Sequence, residues 1–197
     1  RQEGHKQGIN IIQIITKACA IVNVKIVTFY AFSTENWKRP QVEVKNLMEL
    51  FKYMPNKIAE LNKNNISVTV TGDLSSLSAM VKRALRKTID ETKNNTGIIV
   101  NFAINYGGHT EIIDGIKKCI KEKFFETPLN IEKFNNMLYY KALPDVDLLI
   151  RTGGDWRISN FMLWHIPNAE IVVKDTLWPD FKENDLYEAV VEYQGRL

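Results

Sequence analysis

Short runs of apolar, β-branched and aromatic residues alternate along this chain with longer segments whose apolar residues recur at helical spacing. Continuous apolar runs are typical of strands buried on both faces, and their alternation with helices is typical of a parallel sheet. The strand-like runs cover 25–32, 66–73, 98–108, 147–154 and 169–175. The helical segments cover 9–22, 40–61 with a break at Pro55, 76–93, 109–124, 130–139 and 183–194. The pattern predicts an α/β fold, with a mostly parallel central sheet and helices on both faces.

The composition favours one soluble domain over residues 1–197, with no repeat or linker inside it. A net charge of +3 is too small to indicate a nucleic-acid partner. No apolar run approaches the ~20 residues that a membrane span needs, so we expect a cytoplasmic protein. Cys19 and Cys119 lie in apolar, helix-like surroundings, which favours buried free thiols over a single disulfide.

Polar clusters follow three of the predicted strands, at 33–39, 105–109 and 151–161. In an open parallel sheet the carboxyl ends of the strands meet at one edge, and ligands bind there. We therefore expect these three clusters to form one site.

The third cluster reads RTGGDWRISNF and carries two arginines six positions apart. The guanidinium forks of Arg151 and Arg157 suit phosphate or carboxylate oxygens, and Ser159 adds a hydroxyl donor. Gly153 and Gly154 would let backbone amides approach an anion. Together these groups would suit a diphosphate, while the alternative is a surface turn with two solvated arginines. The apolar run 161–166 would be a helix or a strand that fixes the loop.

The first cluster, FSTENWKRP at 32–40, places a hydroxyl, a carboxylate, an amide, an indole and a guanidinium within one turn. Arg39 could meet an anion, and Ser33 and Asn36 could orient a substrate or relay a proton. The alternative is helix capping, because Ser33 and Asn36 are both common capping residues.

Metal and cofactor signals are weaker. Glu170 could be a Mg²⁺ ligand beside a diphosphate, because Mg²⁺ shares oxygen ligands with phosphates, or it could be a solvated surface carboxylate. His5 could donate to an anion or could be structural, while His109 and His165 have no partner at zinc-ligand spacing. The chain lacks the GxxxxGK[ST], GxSxG and GxGxxG motifs.

Several of these motifs together resemble the cis-prenyltransferase family, which includes undecaprenyl diphosphate synthase and dehydrodolichyl diphosphate synthase. The resemblance runs through nearly the whole chain, in the family's order and at about its spacing. Its motifs are GHKQG, FYAFSTENWKRP, NNTG, NFAINYGG, IRTGGDWRISNF, AE and LWPDF.

This resemblance implies an enzyme that condenses isopentenyl diphosphate repeatedly onto farnesyl diphosphate or another allylic diphosphate. It also implies Mg²⁺ as cofactor, a homodimer, and peripheral membrane association for release of a long cis-polyprenyl product. The product would grow along a hydrophobic tunnel; on the residues alone, the stripe at 44–51 could equally be ordinary core. The tunnel residues would be Leu47, Met48, Phe51, Val100 and Phe102.

The family's site residues carry over position by position. Arg151, Arg157 and Ser159 resemble the isopentenyl diphosphate site, and Glu170 resembles a partner of Mg²⁺. A second set of residues would bind the allylic diphosphate and lie beside the reacting carbons. Within this set, Ser33, Asn36, Arg39 and His5 would be catalytic. That second set is Arg1, His5, Ser33, Glu35, Asn36, Trp37, Arg39 and Glu43.

The chain also departs from the family pattern. The family's catalytic aspartate is expected before Arg1, and its Arg-x-Gly tail after Leu197. Asp155 stands where glutamate is usual, Trp156 where a smaller or polar residue is common, and His109 where bacterial members carry arginine. The alternative function is a non-catalytic subunit of a heteromeric cis-prenyltransferase, although such subunits typically lose the substrate motifs retained here. Product length, and a bacterial undecaprenyl or a eukaryotic dolichol-type product, stay open.

Overall fold

The computed structural model describes residues 2–123, 128, 130–139 and 143–196, with side chains from residue 11 onward. The strands are β1 (Ile26–Ser33), β2 (Ser67–Thr71), β3 (Ile99–Tyr106), β4 (Leu148–Thr152) and β5 (Glu170–Lys174). The helices are α1 (Gln2–Ile21), α2 (Gln41–Lys52), α3 (Ile58–Lys63), α4 (Ala79–Thr92), α5 (Gly108–Lys121), α6 (Ile131–Asn135) and α7 (Glu183–Gln194). The five predicted strands and the helices predicted between and after them are present, so the α/β prediction is confirmed.

All the strand pairs of the described residues are parallel. A three-stranded ladder has the order β1-β3-β2, and β4 pairs with β5 in a second ladder. The register of β1 against β3 shifts between Tyr30 and Phe32, which is a bulge near the carboxyl end of β1. Because a bulge interrupts the alternation of side chains, Phe32 pairs with Ile104 and packs in the same apolar cluster as that residue.

Helices cover the three-stranded sheet through separate apolar clusters. Helices α1 and α7 pack on one cluster with β1 and β3, through Ile15, Phe29, Val100 and Leu186. Helices α2 and α4 build the neighbouring cluster around Phe32 and Ile104. Ala103, on the other side of β3, packs with the segment that follows β4. This division places helices and the 151–166 segment around the carboxyl ends of the strands.

Three details refine the sequence predictions. The helix after Pro40 does break near Pro55, where a 3-10 turn at Met54–Lys57 separates α2 from α3. The prediction of a helix or strand over 161–166 was wrong, because Met162 has a φ of 53° and the segment turns. Cys19 and Cys119 are both free and buried, as expected. Within the described part of the chain, no helix combines the length and apolarity needed to cross a membrane.

Candidate active site

The three polar clusters lie together at the carboxyl ends of the strands. Asn160, from the third cluster, donates through Nδ2 to Glu35 Oε1 of the first cluster at 2.8 Å. Its Oδ1 accepts the backbone N–H of His109 at 2.9 Å, and its carbonyl accepts that of Gly108 at 2.8 Å. A Cβ on Gly107 would stand 2.6 Å from Thr34 Oγ1, so glycine is needed for this close approach.

The three residues predicted to bind a diphosphate form one constellation. Arg151 lies near the carboxyl end of β4. It donates through Nη1 to Ser159 Oγ at 3.1 Å and through Nη2 to Asp155 Oδ2 at 3.1 Å. Arg157 donates to the same Asp155 oxygen. Arg151 Nε is buried and has no hydrogen-bond partner among the described residues. Asp155 therefore holds two guanidinium groups side by side, and each guanidinium keeps N–H donors beyond those used in these bonds.

The two glycines of this motif do not present their amides to an anion, and that expectation was wrong. Gly153 N–H donates to the carbonyl of Thr176 at 2.9 Å, and Gly154 N–H donates to that of Lys174 at 3.0 Å. Their φ angles of 90° and 74° are in the region that favours glycine. The pair therefore makes the turn after β4 and fixes it to the chain at the end of β5. This contact positions the start of the arginine loop, which carries Asp155, Arg157 and Ser159.

The first cluster is both a cap and a candidate site. Ser33 N–H donates to Asn36 Oδ1 at 3.0 Å, which caps the 3-10 turn at Thr34–Lys38. Trp37 donates through Nε1 to Asn105 Oδ1 at 2.7 Å and packs edge-on against Phe32 at 5.0 Å between ring centroids. Trp37 is nevertheless 40% exposed, so part of the residue remains accessible to a ligand.

Glu35 is held as a carboxylate. Burial acts to raise the pKa of Glu35, but hydrogen bonds from Asn160, from its own backbone amide, and from Ser33 and Thr34 outweigh it, and the pKa lies below the usual value. Arg39 follows the 3-10 turn and is exposed, and Glu43 is half-buried in the first turn of α2. The 3-10 turn thus carries a fixed carboxylate and is followed by an exposed cation.

Strained backbone concentrates where the three polar clusters meet at the carboxyl ends of the strands, an edge that we call the rim. Asn105, Ser159, Asn160 and Met162 have φ angles of 49°, 50°, 60° and 53°. The left-handed conformation costs roughly 1–2 kcal/mol for residues other than glycine, and surrounding contacts must stabilise it. Met162 is fully buried and Asn105 donates to the carbonyl of Asp73 at 2.6 Å, so packing and hydrogen bonds provide that stabilisation.

Two predicted residues fall where the side chain is not described. Arg1 lies outside the described residues, and His5 lies in helix α1 with no described side chain. Glu170 is described, but the structure does not bring it to Arg151. Glu170 starts β5 opposite Leu148, three residues along the ladder, or about 10 Å from the level of Arg151.

Glu170 accepts a hydrogen bond from Arg196 Nη1 at 3.0 Å. No cluster of three or more potential metal ligands occurs among the residues that the structure describes. Mg²⁺ usually takes one or two carboxylates and completes its octahedron with waters and phosphates. The described residues of one chain therefore do not form a preassembled Mg²⁺ site, and the assignment of Glu170 stays a prediction.

Four of the five predicted tunnel residues line one apolar region. Phe51 is buried in the cluster of α2 and α4, and Leu47, Met48 and Phe102 pack against it. Val100 belongs to the neighbouring cluster with α1, which Phe102 also contacts. Phe32 belongs to the same cluster and contacts Trp37, so this apolar region adjoins the loop that carries Ser33 and Trp37.

Sequence reasoning missed three side chains that organise the site. Asn160 and Asp155 stand inside the arginine motif, but their partners could not be read from spacing. Glu111 is fully buried in α5; it accepts the Tyr106 hydroxyl at 2.5 Å and the Tyr139 amide at 2.9 Å, and lies 3.2 Å from His165 Nε2. A carboxylate on the apolar face of a predicted helix was the signal that could have identified it.

Comparison with known proteins agrees with this geometry. Residues 1–197 match the prenyltransferase family described as putative undecaprenyl diphosphate synthase. The isoprenyl transferase of Clostridium tetani is 45% identical over 202 residues, which cover all of this chain and 79% of that protein. The isoprenyl transferase of Bacillus subtilis is 44% identical over 202 residues, covering all of this chain and 77% of that protein.

Two solved structures share the fold. A probable undecaprenyl diphosphate synthase from Campylobacter jejuni has a TM-score of 0.86 at 34% identity, covering 98% of this chain and 90% of that one. Lavandulyl diphosphate synthase from Lavandula x intermedia, solved in complex with dimethylallyl diphosphate, has a TM-score of 0.93 at 29% identity. That match covers all of this chain and 87% of the lavender protein. The chain belongs to the undecaprenyl diphosphate synthase family of prenyltransferases.

Proposed function

We propose that this protein is a cis-prenyltransferase that condenses isopentenyl diphosphate repeatedly onto farnesyl diphosphate or another allylic diphosphate. One observation carries the proposal: Asn160, the residue after Ser159 of the arginine constellation, bonds to Glu35 of the Ser33–Arg39 loop, and Phe32, just before that loop, lies in the apolar cluster of Leu47, Met48 and Phe51. Two anion-binding groups at the mouth of an apolar region suit two diphosphates and a growing hydrocarbon chain. The lavender relative's bound allylic diphosphate supports this choice of ligand.

The isopentenyl diphosphate would bind at the arginine constellation. Its diphosphate would replace Asp155 as the partner of Arg151 and Arg157, and the remaining terminal N–H groups of both guanidiniums would donate to it as well. Charge-assisted and bidentate hydrogen bonds of this kind are the strong ones in proteins. Ser159, already bonded to Arg151, would contribute its hydroxyl.

The reaction forms a bond from the terminal alkene carbon of isopentenyl diphosphate to C1 of the allylic substrate. The allylic carbon–oxygen bond breaks, diphosphate leaves with the electron pair, and a proton leaves C2 of the isopentenyl unit. Arg39 would hold the departing diphosphate as charge develops on it. Ser33 and Asn36, fixed to each other by the cap of the 3-10 turn, would orient the reacting carbons below Trp37.

Mg²⁺ is included in this proposal because both substrates carry a diphosphate, and diphosphate oxygens are ligands that Mg²⁺ prefers. When bound, the ion would neutralise charge on the diphosphate. Glu170 is the proposed protein ligand, and its hydrogen bond to Arg196 would then have to open. Replacing Mg²⁺ with excess EDTA should abolish condensation, and full activity in EDTA would refute this part.

A homodimer, a cytosolic location and peripheral membrane association complete the proposal, since a long polyprenyl product has to leave for a bilayer. The bacterial isoprenyl transferases among the relatives favour an undecaprenyl-type over a dolichol-type product. A non-catalytic subunit is disfavoured, because it would not need the arginine constellation or the Ser33–Arg39 loop.

The test is incorporation of radiolabelled isopentenyl diphosphate by the full-length protein, with farnesyl diphosphate as primer and products resolved by chain length. A long polyprenyl product is expected, and its length would decide the product class. The absence of product from folded full-length protein would refute catalysis and favour the role of a silent subunit.

A further inference from the structure

Asn160 is the one residue for which the structure records hydrogen bonds to both other clusters of the rim, within the described part of the chain. Its side-chain oxygen and its carbonyl accept the amides of His109 and Gly108, at the start of α5. Its remaining polar group on the side chain, Nδ2, donates to Glu35, which is 125 positions away in sequence. Its backbone neighbour is Ser159, which receives Arg151.

These contacts leave Asn160 little freedom to move alone. Its φ of 60° is stabilised by the two amides of α5, because a left-handed residue needs such contacts. A shift of the Ser159 backbone toward a ligand would therefore either break the bond to Glu35 or move Glu35 with it. Glu35 lies in the same 3-10 turn as Asn36 and Trp37.

We propose that Asn160 is a positioning residue that couples the two diphosphate subsites, so that binding at one tightens binding at the other. The inference rests on the proposed function, which supplies the two ligands. Coupling between two sites is reciprocal, and measured values are typically about 5- to 150-fold in affinity. A purely structural bond would stabilise the fold but would leave the two affinities independent.

The role of the Asn160–Glu35 hydrogen bond can be tested by exchanging its donor and its acceptor between the two positions. Asn160→Asp keeps the side-chain shape, the acceptor for α5 and a tolerance for positive φ, but it places a second carboxylate against Glu35. Glu35→Gln removes the acceptor charge. In the double variant N160D/E35Q, the glutamine amide can donate to the aspartate, so the hydrogen bond returns with reversed polarity and the same net charge.

The measurement is the dissociation constant of isopentenyl diphosphate for the full-length protein, with and without a saturating thiodiphosphate analogue of farnesyl diphosphate that does not react. The ratio of the two constants is the coupling factor. We expect a factor of about 5 or more in the parent protein, a factor close to 1 in N160D, and recovery of most of the parent value in the double variant. N184D, at an exposed position of α7, is the matched control and should keep the parent factor.

The outcomes distinguish a failure of the coupling role from a failure of the proposed function. A parent factor of 1, or an unchanged factor in N160D, would overturn the coupling role while leaving catalysis intact. Failure of the double variant to recover the factor, with its thermal stability equal to that of the parent, would overturn it too. If the parent protein neither binds nor condenses isopentenyl diphosphate, the proposed function fails, and the inference fails with it.

Discussion

Glu111 provides the sharpest test of how the rim is held together. Its carboxylate is fully buried and accepts the Tyr106 hydroxyl at 2.5 Å and the Tyr139 amide at 2.9 Å, while His165 Nε2 lies 3.2 Å away. These partners come from the end of β3, the segment after α6, and the turn that follows the arginine loop. Burial and the neighbouring Glu111 charge raise the pKa of Tyr106, so its hydroxyl stays a donor.

Glu111→Gln should destabilise the protein measurably. Glutamine retains one oxygen for Tyr106 and His165, but its NH₂ then faces the Tyr139 amide, which loses its acceptor. An unsatisfied buried donor costs about 1–3 kcal/mol, and replacing a charged by a neutral acceptor costs about 1 kcal/mol more, or about 2–4 kcal/mol in total. At roughly 2–4 °C per kcal/mol for a chain of this size, Tm should fall by about 4–16 °C.

The assay is thermal and urea unfolding of the parent and of two variants. Glu122→Gln, at the exposed end of the same helix, is the control and should stay within about 0.5 kcal/mol of the parent. If Glu111→Gln also stayed within that range, the buried carboxylate would not stabilise the rim as its contacts imply. Glu111→Leu would remove the acceptor of both the Tyr106 hydroxyl and the Tyr139 amide, at about 1–3 kcal/mol each, a large part of a typical stability of ~5–15 kcal/mol, so it should destabilise the protein more than Glu111→Gln.

Three further predictions follow from other parts of the structure. Arg151→Ala or Arg157→Ala should raise KM for isopentenyl diphosphate roughly ten- to hundredfold, at ~1.5–3 kcal/mol per charged hydrogen bond; an unchanged KM would contradict the assignment. Burial raises the pKa of Cys19 to about 12 and Cys119 is also buried, so neither thiol should react with a thiol reagent before unfolding; a rapid reaction of the native protein would count against this packing. A backbone amide at the start of α7 is the main cause of the lowered pKa of Asp185. Asp185 therefore contributes its full stabilisation above about pH 4, and this stabilisation is lost as pH falls through the lower pKa of the folded state. Asp185→Asn should flatten the acidic side of a profile of stability against pH. An unchanged acidic side would argue against this role.

The fold could be predicted because its signals are local. Continuous apolar runs identified the five parallel strands, and Pro55 located the break between α2 and α3. The rim could be predicted from topology, because parallel strands bring their carboxyl ends to one edge. The bulge between Tyr30 and Phe32 left no equivalent signal, since the whole run is apolar and either face could accept each side chain.

The connections within the site could not be predicted, because they join residues far apart in sequence. Nothing near Asn160 indicates that its amide meets Glu35, and nothing near Glu111 indicates that it serves three segments. The glycine pair illustrates the opposite error. Gly153 and Gly154 fit an anion-binding loop by type, yet their amides bond to the chain after β5, and only the folded structure shows which acceptor each amide has.

The structure also ranks the two arginines that the sequence treated alike. The Arg151 side chain is 26% exposed and bonded to both Ser159 and Asp155, whereas that of Arg157 is 63% exposed. Ordering an exposed side chain on binding costs about 0.5–1.5 kcal/mol, and Arg151 has largely met that cost during folding. Arg151→Ala should therefore raise KM several-fold more than Arg157→Ala, and equal effects would mean that the pre-ordering of Arg151 by Ser159 gives no advantage in diphosphate binding.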